Sequence, residues 1–177
     1  MSDNLKKSDN LKKLFDFVDD PTVRNKLAKS EDRIRRSFKE MFSGYALCAE
    51  DVLNDVIHVS DYSGLVEVHE INFYSFCEHH FAPFFGTASV IYEPGEIITG
   101  LGKIVRLVHD VHARRLQIQE IMTKDIAEDI QRVLGAKGVL VKTRAKHLCM
   151  CSRGPSDDTA LTTVIYGCGT LKARAIE

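Results

Sequence analysis

Apolar and polar positions divide this chain into three textures. From Leu11 to Val18 the apolar residues Leu11, Leu14, Phe15 and Val18 recur at steps of three, one and three, which is one helix face. Pro21 stops or restarts that helix. A second helix is expected from about Ser30 and Glu31 to Phe42, with Ile34, Phe38 and Phe42 four apart and Gly44 as its stop. From Val66 the period changes. Val66 to Phe73 alternates apolar with polar, as a half-buried strand does. Phe84 to Tyr92 reads as the next strand, and Glu93-Pro94-Gly95-Glu96 as a turn between it and Ile97-Ile98. Gly100-Leu101-Gly102 then opens a helical region with Ile104, Leu107, Val108 and Val111 on one face. Ile118, Ile121, Met122, Ile126, Ile130 and Val133-Leu134 carry it on, so two helices are expected, at about 102–115 and 117–134, ended by Gly135 and Gly138. Val139 to Cys149 returns to alternation with a basic outer face of Lys142, Arg144 and Lys146, and Thr159 to Tyr166 is a last β-branched strand. This order predicts an α+β fold: an antiparallel sheet with a helix pair on one face, preceded by an N-terminal helical arm. The arm and its helices are placed at 1–60 and the sheet-bearing domain at 61–177.

Composition narrows the class. With 177 residues, 44% apolar and 28% charged, the chain resembles an ordinary soluble domain with an arm. The arm begins with a tandem hexapeptide, Ser2 to Lys7 repeated as Ser8 to Lys13, too short for a solenoid. A formal net charge of −1 argues against a general nucleic-acid binder. No apolar run approaches the ~20 residues of a membrane span, and the lysine-rich start has no apolar signal core. A cytoplasmic protein with no nucleic-acid or membrane partner is therefore expected. In that setting the five cysteines read as thiols or metal ligands before disulfides.

Two clusters carry candidate chemistry. Cys77-Glu78-His79-His80 follows the first strand, and Cys77 and His80, three apart, fall on one side of a tight turn. A thiolate and an imidazole suit zinc. Seventy residues on stands His147-Leu148-Cys149-Met150-Cys151, where 147, 149 and 151 share one strand face. A third ligand from there gives Cys77, His80 and Cys149, a set with one open position, the pattern of a catalytic zinc. Cys151 as a fourth ligand would instead close a structural site. Buried cysteine is also often only a small hydrophobe, which is how Cys48 and Cys168 are read. His109 and His112, three apart on a helix, are read as surface or interface histidines. Arg114 and Arg115 are read as oligomer or salt-bridge residues.

At this point a family resemblance emerges. Ser75 to Gly86 (Ser-Phe-Cys-Glu-His-His-Phe-Ala-Pro-Phe-Phe-Gly) resembles the signature of GTP cyclohydrolase I. So do Gly100 to Arg106, Arg114 to Lys124, and His147-Leu148-Cys149-Met150 followed by Arg153-Gly154, in family order and at nearly family spacing. A weaker echo lies in Phe42-Ser43-Gly44-Tyr45. The resemblance implies a zinc hydrolase of the tunnelling fold (T-fold), whose barrel is completed by oligomerisation. Such enzymes open the imidazole ring of GTP, release formate and recyclise the product to 7,8-dihydroneopterin triphosphate. It implies Cys77, His80 and Cys149 as ligands of Zn2+, and His79 and His147 as the acid/base pair. It implies Glu120, with Gln119 beside it, on the guanine edge, and Lys103, Arg106 and Arg153 on the triphosphate. It further implies a homo-oligomer, most simply a decamer of two pentamers, with active sites between subunits.

The chain departs from the family pattern in places. Gly102 stands where the pattern has serine, so a hydroxyl to phosphate is missing. The stretch from Arg106 to Glu120 is one residue longer, which is expected near His109 to His112 and would rotate the preceding helix relative to Glu120. Cys151 is not usually cysteine. Pro155 to Thr159 is acidic where the family is basic. Two alternatives follow: a tunnelling-fold relative acting on a pterin or deazaguanine without a triphosphate, or a non-catalytic zinc-stabilised assembly protein closed by Cys151. The basic pair Arg33 and Arg36 would match residues lent by a neighbouring subunit only with a gap.

Overall fold

A computed structural model of the chain describes residues 18, 20–59 and 61–175. The hexapeptide repeat and all but Val18 of the first expected helix lie outside these residues. The chain divides into two compact units, Met1–Glu40 and Met41–Glu177.

Helix α1 (Pro21–Met41) occupies most of the described part of the first unit. The Asp20 carboxylate accepts the backbone N–H of Thr22 at 2.8 Å, and Pro21 takes the first helical position. Pro21 therefore starts a helix, and Ser30-Glu31, expected as the start, lies inside it.

In chain order the second unit carries a 3-10 turn (Ser43–Ala46), α2 (Ala49–Val52), β1 (Val56–His58), β2 (Val66–Cys77), β3 (Ala82–Glu93), β4 (Ile97–Thr99) and α3 (Leu101–Arg106). There follow a π-helical segment (Leu107–His112), β5 (Leu116–Gln117), α4 (Gln119–Leu134), β6 (Gly138–His147), α5 (Leu148–Cys151), β7 (Thr162–Gly169) and a last 3-10 turn (Lys172–Ala175). The main sheet has the order β5-β2-β3-β6-β7 and is antiparallel except for β5, which joins β2 in parallel.

The α+β class holds, with four differences from the pattern reading. Ile97-Ile98 does not pair back onto β3; β4 pairs with β1 in a separate two-stranded sheet. The first expected helix of the pair is α3 running directly into the π-helical segment. The widened turn falls at Leu107–His112, where the extra residue is expected. β7 begins three residues later than expected. The strand expected to reach Cys149 ends at His147, and residues 148–151 form a helical turn.

Helix α4 packs across β6 and β7, while α3 and the π-helical segment pack on β2. Met122, Ile126, Ala127, Ile130 and Leu134 of α4 are buried, as are Phe73, Phe84, Val90, Tyr92, Val139 and Val141 of the sheet. Each such large side chain contributes about 1.5–3 kcal/mol of burial. A β-bulge between Val68 and Ile71 adds one residue to β2 against β3. It shifts the inward phase from Val66 and Val68 to Ile71, Phe73, Ser75 and Cys77, which are buried. Glu70, at φ 54°, takes the left-handed conformation that the bulge needs. Without this extra residue Cys77 would face the other side of the sheet.

Candidate metal centre

Three local structures converge at one end of the sheet. Cys77 is the last residue of β2, and His79 and His80 lie in the tight turn to β3, closed by Phe81 N–H donating to Cys77 O at 2.8 Å. Phe81 adopts φ 53°, and its ring meets Phe42 and Phe76 with centroids 5.7 and 5.8 Å away. This aromatic group holds the turn that carries His80. The ladder register does the rest: Cys77 pairs with Ala82 and Phe84 with His147. The helical turn after His147 then swings Cys149 back over Cys77.

The candidate ligand atoms of Cys77, His80 and Cys149 all lie within 4.8 Å of one another. On a tetrahedral zinc with Zn–S bonds of ~2.3 Å, two sulfurs stand roughly 3.8 Å apart, so the three groups need only a small closure. Burial first, and then the neighbouring Cys77 sulfur, push the Cys149 thiol up. A divalent cation bound there would favour the Cys149 thiolate. The donor set thus fits zinc. Cys151 is not in the group; its thiol donates to the His147 carbonyl at 3.1 Å. All five cysteines are free thiols.

A cavity of about 200 Å³ opens on these residues, lined also by His79, Gln119, Glu120 and His147. Burial lowers the pKa of His147, against the opposing charge of Glu120. The ring stacks on Phe84 at 4.5 Å and 3°. His79 Nδ1 stands 3.9 Å from Cys77 Sγ. Of the expected triphosphate residues, Arg153 is near enough for its charge to favour the Cys149 thiolate. Lys103 and Arg106 do not line the cavity. Lys103 Nζ donates to Asn54 Oδ1 at 3.1 Å, and Arg106 Nε to Asp110 Oδ2 at 3.1 Å.

Several residues at or behind the site escaped the sequence reading. Gln117, buried, donates from Nε2 to the His112 carbonyl at 2.8 Å. Thr143, Thr123 and Thr162 contact Gln119. Thr143 had a legible signal: it interrupts the inward series Val139, Val141, Ala145 with a hydroxyl that must find a partner. Thr162 had none. Three other readings change. His112 is buried, 2% exposed, with Nε2 on Asp129 at 3.1 Å, and is not a surface histidine. Cys48 is exposed and is not a core residue. Arg115 donates to the carbonyls of Gly44 and Leu47, at 3.1 and 2.8 Å.

Comparison with known proteins decides the lineage. Residues 7–176 match the family model of GTP cyclohydrolase I. The chain belongs to the GTP cyclohydrolase I family. It is 41% identical over 157 residues to GTP cyclohydrolase 1 of Rickettsia prowazekii (strain Madrid E), covering 88% of this chain and 82% of that protein. It is 44% identical over 152 residues to GTP cyclohydrolase 1 of Brucella anthropi, covering 84% of this chain and 70% of the relative. Among solved structures, the crystal structure of the archaeosine synthase QueF-Like in the apo form aligns with a TM-score of 0.49 and 16% identity, over 62% of this chain and 97% of that one. The chain is thus an enzyme of the GTP cyclohydrolase type. No helix among the described residues is long and apolar enough to cross a membrane.

Proposed function

We propose that this protein is a zinc-dependent GTP cyclohydrolase I, which hydrolyses the guanine imidazole ring of GTP to formate and 7,8-dihydroneopterin triphosphate. The observation that carries the reading is one cavity holding Cys77, His80 and Cys149 within ligand distance, together with His79, His147 and Glu120. Cys77, His80 and Cys149 would hold the metal. Zinc bound there supplies Lewis-acid activation of water near neutral pH.

The chain's own residues do the rest. C8 of guanine is a poor electrophile, so attack there needs a proton at the ring nitrogen as charge develops. His147 stands beside the ligand set; in its imidazolium form it delivers that proton and returns to the neutral ring. His79, adjacent to His80 in the turn, serves a second transfer on the ribose during ring opening. The Glu120 carboxylate accepts from N1–H and N2–H₂ of guanine, a donor pair that adenine lacks. Arg153, Lys103 and Arg106 meet the triphosphate.

Because Lys103 and Arg106 stand off the cavity of their own chain, the reading fits a site completed by a neighbouring copy. That agrees with a tunnelling-fold homo-oligomer, a decamer of two pentamers, working in the cytoplasm. Exposed Tyr74 and Ile165 on the uncovered sheet face, 70% and 41% exposed, fit closure of a barrel by other copies.

The test is incubation of the zinc-loaded protein with GTP. Formate and a pterin that fluoresces after oxidation are expected, and the Cys149→Ala variant should yield neither. No product above that variant would refute the reading.

A further inference from the structure

Behind the site lies a closed polar network in which every hydrogen can be placed. Gln119, at the start of α4, is 2% exposed, and Thr123 and Thr143 are fully buried. Gln119 Nε2 lies 3.2 Å from the Thr162 carbonyl, 3.0 Å from Thr143 Oγ1 and 3.4 Å from the Thr143 carbonyl. Carbonyl oxygens only accept, so the amide NH₂ faces them and Gln119 Oε1 faces the other way. It meets His147 Nε2 at 2.7 Å. Thr123 Oγ1 donates to the Gln119 carbonyl at 2.7 Å and therefore accepts from Thr143 Oγ1, also at 2.7 Å. Thr143 Oγ1, its hydrogen so used, accepts from Gln119 Nε2. Both amide hydrogens of Gln119 are thus committed to protein acceptors.

We propose that Gln119 is a positioning residue for His147, fixing it in the tautomer with hydrogen on Nε2, and is not a contact to the substrate base. An amide oxygen can only accept, so His147 Nε2 carries a hydrogen, and in the neutral ring the lone pair is on Nδ1. The partner of one ring nitrogen decides the state of the other. Stacking on Phe84 fixes the ring plane, and Gln119 fixes its rotation within that plane. Any proton that His147 exchanges with a ligand then passes through Nδ1. The network ties α4 to β6 and β7, so the imidazole is held by the sheet itself. The rate consequence rests on the cyclohydrolase reading; the tautomer does not.

The experiment compares wild type, Gln119→Met and Thr143→Val as zinc-loaded proteins. Steady-state kinetics with GTP and inosine triphosphate, which lacks the 2-amino group, separate positioning from base reading. Gln119→Met should lower kcat about 10- to 100-fold, as loss of a ligand's orienting partner does, with KM within about twofold and the GTP-to-inosine preference unchanged. Thr143→Val should show a smaller loss of the same kind, and serves as the test if Gln119→Met does not fold. A rise in KM with a compressed base preference in Gln119→Met, or full kcat in Thr143→Val, would overturn the proposal. Magic-angle-spinning ¹⁵N spectra of histidine-labelled protein give a readout independent of turnover, with His147→Asn identifying the signal. Wild type should show protonated Nε2 and bare Nδ1, and Gln119→Met a mixture. The opposite tautomer in wild type, or no change in Gln119→Met, would overturn it even if GTP proved not to be the substrate.

Discussion

Burial alone would raise the Asp129 carboxyl, yet hydrogen bonds from His112 and Arg132 outweigh it and hold the group below the usual carboxylate range. His112 depends on this partner. Its ring is buried, and Nδ1 is one of two buried side-chain N/O atoms without a partner among the described residues. Asp129→Ala would leave both ring nitrogens unsatisfied, a cost of about 1–3 kcal/mol. The pH sign follows from the depressed carboxyl. The stabilisation is present above the ordinary carboxylate pKa of ~3.9 and is lost as pH falls through the lower native value. Urea midpoints measured from pH 7 down to pH 3 should therefore show a lower plateau and a shallower acid decline in Asp129→Ala. An unchanged midpoint at pH 7 would contradict this assignment. None of this was legible in sequence, because His112 and Asp129 are 17 residues apart and only the packing of the π-helical segment against α4 brings them together.

At the scale of elements, the alternation of β2 was legible, but its defect was passed over. Val66-Glu67-Val68-His69-Glu70-Ile71 carries two polar residues in succession, and the bulge falls there. The end of β6 was not legible. Lys146, His147 and Cys149 continue a plausible alternation, but the backbone turns helical at Leu148. Cys149 reaches Cys77 and His80 through that turn, and the shared strand face expected for 147, 149 and 151 does not exist. The Cys-x-x-His pair was legible because a four-residue turn fixes both side chains locally. Gly86 shows how closely β3 and β6 approach. A Cβ there would collide with the Arg144 carbonyl, a backbone atom that cannot yield without breaking the ladder. Gly86→Ala should cost more than about 2 kcal/mol in denaturant unfolding and reduce retained metal, since His147 and Cys149 follow directly on this register. Wild-type stability in that variant would show that the ladder is looser than described.

For the whole molecule, four ordered motifs made the family legible, while the pattern of apolar residues alone reached only the α+β class. Assembly is a property that a single chain's periodicity does not encode. The uncovered sheet face and the displaced Lys103 and Arg106 fit a multi-subunit site, and the decamer proposed above predicts a species near ten chain masses in sedimentation at micromolar protein. A monomer that retains full activity would contradict that prediction. The most direct test of the central claim is formate release from GTP, followed on one sample through removal and return of zinc. The account predicts loss of turnover on chelation and recovery that saturates at about one zinc per chain, the capacity of one three-ligand site. Undiminished formate release from metal-free protein would contradict it.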